Sequence, residues 1–491
     1  MPPKESVDLV IEARWVLPIA PVNTILVDHA VAVTAGRIVA IAPTTEVNAA
    51  FEPRERVIRG SHALLPGFVN AHTRAATTLL RGLPVQGPRQ RWMRETVLPA
   101  ARGCMSPDFV RDGTQLAIAE MLRAGITAFA DMYVFPEEAA RAASAARVRA
   151  AIGLPVTDGP TPWADSATGH LAKAEQLWDE YQANPWVSLY FAPHNAFGVE
   201  DQTLARVRRV ADELDARVAM YLAPGEVHEN HTGGRSPLVR LQELGLLGPG
   251  FTAIHLGGVD AQELEIAAAT GICVVACQQS HLRLGGALCP ATRLEALGVP
   301  VGIGTDSAVS VGALDVLAEA RLAALLAVND GGTLVASAGE FGGASGGDAR
   351  NGSGHGRASD SGGAGDIGDD ANVRAGGNDT GRFGSDVASR ALRMATLGGA
   401  TALGMNAHVG SIEVGKFADL VCIDLATLAC QTASRRPADA IVFGATRDQV
   451  TDVWTSGRAA VSDGHLLTFD EQELLALAQR WAGRIPTGGA S

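Results

Sequence analysis

The chain has 491 residues and a formal charge of −13, with 47 % hydrophobic and 19 % charged residues. That apolar content supports a buried core and excludes a globally disordered, collagen-like or disulfide-scaffold chain. An acidic balance without a basic run argues against nucleic acid or an anionic membrane as partner. Glycine is uneven: 18 of the 56 fall within the 55 positions 331–385.

From Asp8 to Ile58 the apolar runs are short and lack a helical period. Val31–Val33, a turn at Thr34–Arg37 and Ile38–Ile41 read as a β-hairpin. Strand-like runs then alternate with amphipathic helical stretches. The strands are expected at Ala63–Val69, Ile126–Asp131, Arg147–Pro155, Val187–Ala192, Val218–Leu222, Phe251–His255, Ile272–Ala276 and Val301–Thr305. Helices are expected from Ala75 and at Val110–Arg123 and Pro136–Ala146. Eight strands in this alternation predict a parallel (β/α)8 TIM barrel. An open doubly wound sheet is the alternative, but no G-x-G-x-x-G follows a strand. Residues 331–385 have no periodicity and too few bulky apolar groups to offset their ordering entropy, so they read as a disordered insertion. Helical pattern resumes at Asp386–Leu397. Leu420–Ile423 and Val450–Val461, with a turn at Ser456-Gly457, are β-like. β segments at both chain ends predict one small β domain. The expected division is 1–64 and 408–491 for a β-sandwich domain with a C-terminal helix, 65–330 for the barrel, 331–385 for the insertion and 386–407 for the last barrel helix.

Six scattered cysteines without a C-x-x-C read as buried free thiols. No apolar run reaches about 18 residues and the N-terminus lacks a charged region before a long apolar one, which favours a cytoplasmic protein. Trp15, Trp92, Trp163, Trp186 and Trp454 read as packing residues.

In a barrel, polar residues at the C-terminal strand ends are the functional candidates. Here those ends carry His72, His194, His255 and Asp306. Each histidine alone is as readily a hydrogen-bonded core residue. Four such residues at strand ends together point to metal-assisted hydrolysis.

The run Leu65-Pro66-Gly67-Phe68-Val69-Asn70-Ala71-His72-Thr73, followed by Thr77-Thr78-Leu79-Leu80-Arg81-Gly82, resembles the first metal-binding strand of the amidohydrolase superfamily. Phe191–His194, Gly302–Asp306 and Gly410–Leu420 extend the resemblance to the TRZ/ATZ branch, which includes chlorohydrolases and methylthioadenosine/S-adenosylhomocysteine deaminases. The resemblance implies a barrel with a β-sandwich domain built from both chain ends. It also implies one divalent metal, zinc or iron, held by H-x-H on strand 1, a His on strand 5 and an Asp on strand 8. His72 matches the first His and Asp306 the strand 8 ligand. Arg74 stands at the second His. The strand 5 His and the Glu three residues on fall at Tyr221 and Pro224. His255 matches the strand 6 His that handles the attacking water, and His194 a substrate-contacting His. Cys277–His281 replaces a Cys-Pro-x-Ser-Asn run.

Arginine has no lone pair to donate and stays charged, and proline is no acid or base. The expectation is therefore a degenerate site. In it the metal chemistry is lost or altered, and Arg74, Tyr221 and His194 serve a purine- or triazine-like ligand. One alternative is an active hydrolase with metal on His72, His255 and Asp306, since three ligands plus water is a catalytic count. Another is a non-catalytic pseudoenzyme in which Arg74 pairs with Asp306 in the metal's place, as a binding or regulatory subunit. Metal-free chemistry around His194, His255 and Asp306 is a further one. A homo-oligomer is expected from the resemblance.

Overall fold

The computed structural model describes residues 3–85, 87, 89–222, 236–327, 380–431 and 435–485, with backbone only for 380–386. Eight parallel strands follow one another in sheet order: β5 (Phe68–Thr73), β6 (Ile126–Asp131), β7 (Arg149–Val156), β8 (Val187–Pro193), β9 (Arg217–Tyr221), β10 (Phe251–Ile254), β11 (Cys273–Ala276) and β12 (Val301–Ile303). A parallel bridge between Thr73 and Asp306 joins the two ends of this sheet, which closes the barrel. Every residue of β5, β6, β10, β11 and β12 is buried. Such continuous burial suits strands covered on both faces.

The second sheet draws on both chain ends. Its strands are β1 (Glu5–Val16), β2 (Leu26–Thr34), β3 (Arg37–Pro43) and β4 (Phe51–Pro66) from one end. From the other come β13 (Leu420–Asp424), β14 (Val450–Thr455), β15 (Arg458–Ser462) and β16 (His465–Leu466). The order is β16-β15-β14-β13-β4-β1-β2-β3, and β13 lies antiparallel to β4 with Leu420 opposite Pro66. The β2–β3 hairpin pairs Thr34 with Arg37, as the turn pattern predicted.

Three local expectations need correction. The single strand expected at Ala63–Val69 is two strands in different sheets, divided at Gly67. The Gly67 N–H donates to the Asp419 carbonyl at 2.9 Å, and a Cβ there would lie 2.1 Å from the Thr127 hydroxyl, so only glycine allows the crossing. The helix expected from Ala75 is a short 3-10 turn, Ala75–Leu80. The last barrel helix starts at Thr380, ahead of its expected position, and continues through a π turn at Met394–Gly398. Most of the expected insertion, 331–379, lies outside the described residues.

Helix boundaries follow local chemistry. Ser106 caps Pro107–Arg123 by accepting from Phe109 N–H at 3.2 Å, and Asp260 with Glu263 forms a capping box on Ala261–Thr270. The C-terminal helix Glu471–Ala482 docks on Pro107–Arg123, where Trp481 packs edge-on against Phe109 and donates its indole N–H to Asp112 at 2.9 Å. Trp92, Trp163 and Trp454 are buried, and Trp15 and Trp186 pack against the core. All six cysteines are buried and free. Among the described residues no helix is long and apolar enough to cross a membrane.

Barrel and sheet are joined by a buried ion pair. Arg149 of β7 donates from Nε to Asp419 Oδ2 at 2.8 Å and from Nη2 to Ser456 Oγ at 2.6 Å. The Ser456 N–H donates to the other Asp419 oxygen at 2.7 Å. Removing one partner strands a buried charge, so Arg149→Met is expected to cost about 3–5 kcal/mol in urea unfolding.

Glu319, on the helix 316–327, accepts the Gln279 backbone N–H at 3.3 Å and so steadies the start of the helix Gln278–Leu284. Burial pushes its carboxyl up to about 8, with Asp306 and Asp315 adding to the rise. An acid with a raised folded pKa holds its proton more tightly in the native state. Its contribution is therefore complete below its ordinary value of 4.5 and is lost as pH climbs towards 8. Glu319→Gln is expected to flatten that decline, read as urea midpoints across the same pH window.

Candidate active site

The sequence-predicted residues His72, His255 and Asp306 converge at the C-terminal end of the barrel. One potential ligand atom from each lies within 4.8 Å of the others, and all three residues are buried. His72 sits inside β5, whereas His255 and Asp306 follow the ends of β10 and β12. Both of these take left-handed backbone, with φ of 76° and 60°. Non-glycine residues adopt that region rarely, and such strain clusters at functional sites.

The barrel closes at this same point. The Asp306 N–H donates to the His72 carbonyl at 3.0 Å. Just below, the Thr305 N–H donates to Asn70 Oδ1 at 3.0 Å, and Asn70 Nδ2 donates to Thr305 Oγ1 at 2.8 Å. Gly304 permits the approach, because a Cβ there would lie 2.8 Å from His72 N.

His72 Nε2 is 3.7 Å from Asp306 Oδ1, and His255 Nε2 is 3.9 Å from Asp306 Oδ2. Among the described residues neither imidazole nitrogen has a hydrogen-bond partner, nor has His72 Nδ1. Burial pushes His72 down to about 4 and His255 well below the usual range, Asp306 opposing both shifts. Burial favours the neutral form of Asp306, but the permanent positive charge of Arg74 and Arg89 opposes it, and the carboxyl is held well below its ordinary value. The result is two neutral imidazoles with orphaned lone pairs facing one carboxylate. That donor set fits a divalent cation with open positions for water.

Surrounding groups orient these three. His281 Nε2 lies 2.7 Å from His255 Nδ1. With the proton on His255 Nδ1, that bond leaves the Nε2 lone pair towards Asp306. Ser280 Oγ donates to Asp306 Oδ2 at 2.7 Å, and Ser310 Oγ reaches the same oxygen at 3.4 Å. Asp306 Oδ1 therefore remains the freer oxygen.

Arg74 Nε is 4.0 Å from Asp306 Oδ1 and makes no hydrogen bond. The pair is a charge contact rather than a hydrogen-bonded bridge. Tyr221 is buried beneath two guanidiniums, with Arg74 Cζ 5.5 Å and Arg89 Cζ 4.8 Å from its ring centre. Its ring meets His255 edge-on at 4.2 Å, and its hydroxyl has no partner among the described residues. His194 is exposed on the wall of the mouth pocket and bonded to Asn195 at 2.9 Å. Pro224 lies outside the described residues. The mouth pocket has a volume of about 410 Å³, and Trp92, Met93, Val97, Met105 and Met132 make it strongly apolar. Arg74, Arg89, Arg102, Tyr133, His194 and Asp306 are the charged or titratable groups in its lining.

Sequence reasoning did not assign His281, Ser280, Asn70 or Thr305. Cys277–His281 stood out as an altered run, which was the available signal for His281 and Ser280. Their partners His255 and Asp306 lie 26 positions away in opposite directions, so only the fold reveals the contacts.

The amidohydrolase family model matches residues 63–338 and 358–460. The chain is 33 % identical over 483 residues to a 5-methylthioadenosine/S-adenosylhomocysteine deaminase of Teredinibacter turnerae, covering 98 % of each chain. A protein of the same description from Saccharophagus degradans is 32 % identical over 491 residues, covering 99 % of each. Among solved structures, an adenosine deaminase from Xanthomonas campestris with bound zinc superposes with a TM-score of 0.84. It is 36 % identical, over 98 % of this chain and 99 % of that one. Atrazine chlorohydrolase from Arthrobacter aurescens TC1, complexed with zinc, shares the fold at a TM-score of 0.78 and 19 % identity, over 96 % of this chain and 100 % of that one. The chain belongs to the amidohydrolase family.

Proposed function

We propose that this protein hydrolyses a C–N bond on a purine-like ring, as a deaminase, with a divalent cation held by His72, His255 and Asp306. The observation that carries the reading is the convergence of two neutral imidazoles and one carboxylate within 4.8 Å, beneath an apolar pocket of about 410 Å³. The deaminase relatives and the zinc-bound neighbour support both the ring class and zinc as the first metal to test. A bound divalent cation would lower the pKa of water towards ~7 and so supply a nucleophile at neutral pH.

The chain's own groups divide the remaining tasks. His281 holds the tautomer of His255 through their 2.7 Å bond, and Ser280 fixes one oxygen of Asp306. Arg74, beside Asp306, offers positive charge where negative charge develops on the ring during attack. Asn195 Nδ2 donates to His194 Nδ1, which leaves the neutral ring with its proton on Nε2. That N–H can donate a hydrogen bond to a ring nitrogen of a ligand in the pocket and so orient it. The trio replaces the usual ligand set rather than copying it, since Arg74 and Tyr221 stand where histidines are expected.

A second reading is favoured by the Arg74–Asp306 contact at 4.0 Å. In it the guanidinium takes the cation's place, and the protein binds the same ring class without turning it over, as a regulatory subunit.

Metal analysis and activity separate the two readings. The first expects about one zinc or iron per chain, deamination of methylthioadenosine or adenosine, and at least about a thousandfold loss of kcat in Asp306→Asn. Metal-free protein that binds methylthioadenosine but does not deaminate it after zinc or iron addition would establish the second.

A further inference from the structure

The barrel has a second opening, at the end opposite the mouth pocket. A cavity of about 400 Å³ enters there, and it shares no lining residue with the mouth pocket. Barrel interiors are ordinarily filled by layers of Val, Ile and Leu. Here Ala71, Ala130, Ala151 and Ala219, from four different strands, line the cavity together with Tyr190 and Ile254. We propose that this cavity is a binding site for a small planar organic carboxylate, distinct from the proposed active site.

Arg217, the first residue of β9, carries the argument. Among the described residues it is the only basic one in the lining. Among the described residues its Nε is buried without a partner, and Nη2 reaches only neutral groups, Thr252 Oγ1 at 3.4 Å and Cys273 Sγ at 3.7 Å. Among the described residues no carboxylate lies within 4.0 Å of the guanidinium. Asp215, the one acid in the lining, is exposed at the rim. The stem of Arg217 rests against Gly404, where a Cβ would lie 2.9 Å from Cδ.

A cation with only weak neutral partners beside a cavity is matched by an anionic ligand. The planar guanidinium fork favours a carboxylate, and a single cation favours a monoanion over a phosphate. The body of the ligand would lie on the alanine wall and against Tyr190, whose hydroxyl is held by the Asp131 carbonyl at 3.1 Å. A flat aromatic or aliphatic skeleton meets that surface.

Calorimetric titration of the full chain with benzoate, against neutral benzamide, tests the site. One benzoate per chain is expected, with benzamide at least about tenfold weaker. Arg217→Met should abolish benzoate binding and Arg74→Met should leave it intact. Should Arg217→Met not fold, Ala151→Leu fills the cavity and is expected to block benzoate in its place. Equal affinity for benzamide, binding lost in Arg74→Met, binding retained in Arg217→Met or Ala151→Leu, or no heat at about 10 mM benzoate overturns the proposal.

Discussion

The seam between the first and last barrel strands is the constraint on which the site depends. A barrel must close, and here it closes through the Asp306 N–H and the His72 carbonyl, 3.0 Å apart. The two residues that join the sheet ends are also two of the three potential ligands. Gly304 makes the approach possible, and the paired bonds of Asn70 and Thr305 lock its register. Displacing the seam would therefore move the donor atoms as well as the strands. The left-handed backbone at Asp306 is tolerated because the surrounding bonds over-determine it.

Charge at that seam is balanced in an unusual way. A buried carboxylate held well below its ordinary pKa needs positive charge close by. Arg74 supplies part of it, yet at 4.0 Å and without a hydrogen bond. The facing imidazoles stay neutral because they are fully buried, and their lone pairs remain available. One cluster thus accommodates either a bound cation with Arg74 as neighbour or Arg74 alone as counter-charge. The His255–His281 bond serves both arrangements, since it orients the ring whether or not a cation is present.

The second sheet is tied to the barrel by polar as well as apolar contacts. The chain crosses from β4 to β5 at Gly67, whose N–H is held by the Asp419 carbonyl. The Asp419 carboxylate meanwhile pairs with Arg149 in the barrel wall. One residue at the start of β13 therefore anchors both the crossing strand and the wall. The C-terminal helix completes the joint by placing Trp481 against Phe109.

By itself the sequence determined the architecture and marked His72, His255 and Asp306, which the fold brings together. Strand–helix alternation was legible because burial on both faces demands continuous apolar strands, and β6 and the helix Pro136–Ala146 fall where the pattern put them. His72, His255 and Asp306 were legible because local motifs at strand ends carry them. The break at Gly67 was not legible, since an apolar run looks the same whether it stays in one sheet or passes into another. Nor were the roles of His281, Asn70 and Thr305, whose partners lie far away in the chain. Only the tertiary structure decided that Arg74 stops short of a hydrogen bond to Asp306. It alone decided that the histidine lone pairs stay unpaired and that alanines on four strands leave a second cavity. Each depends on distances between strands distant in the chain, which closure of the barrel sets and residue order does not encode locally.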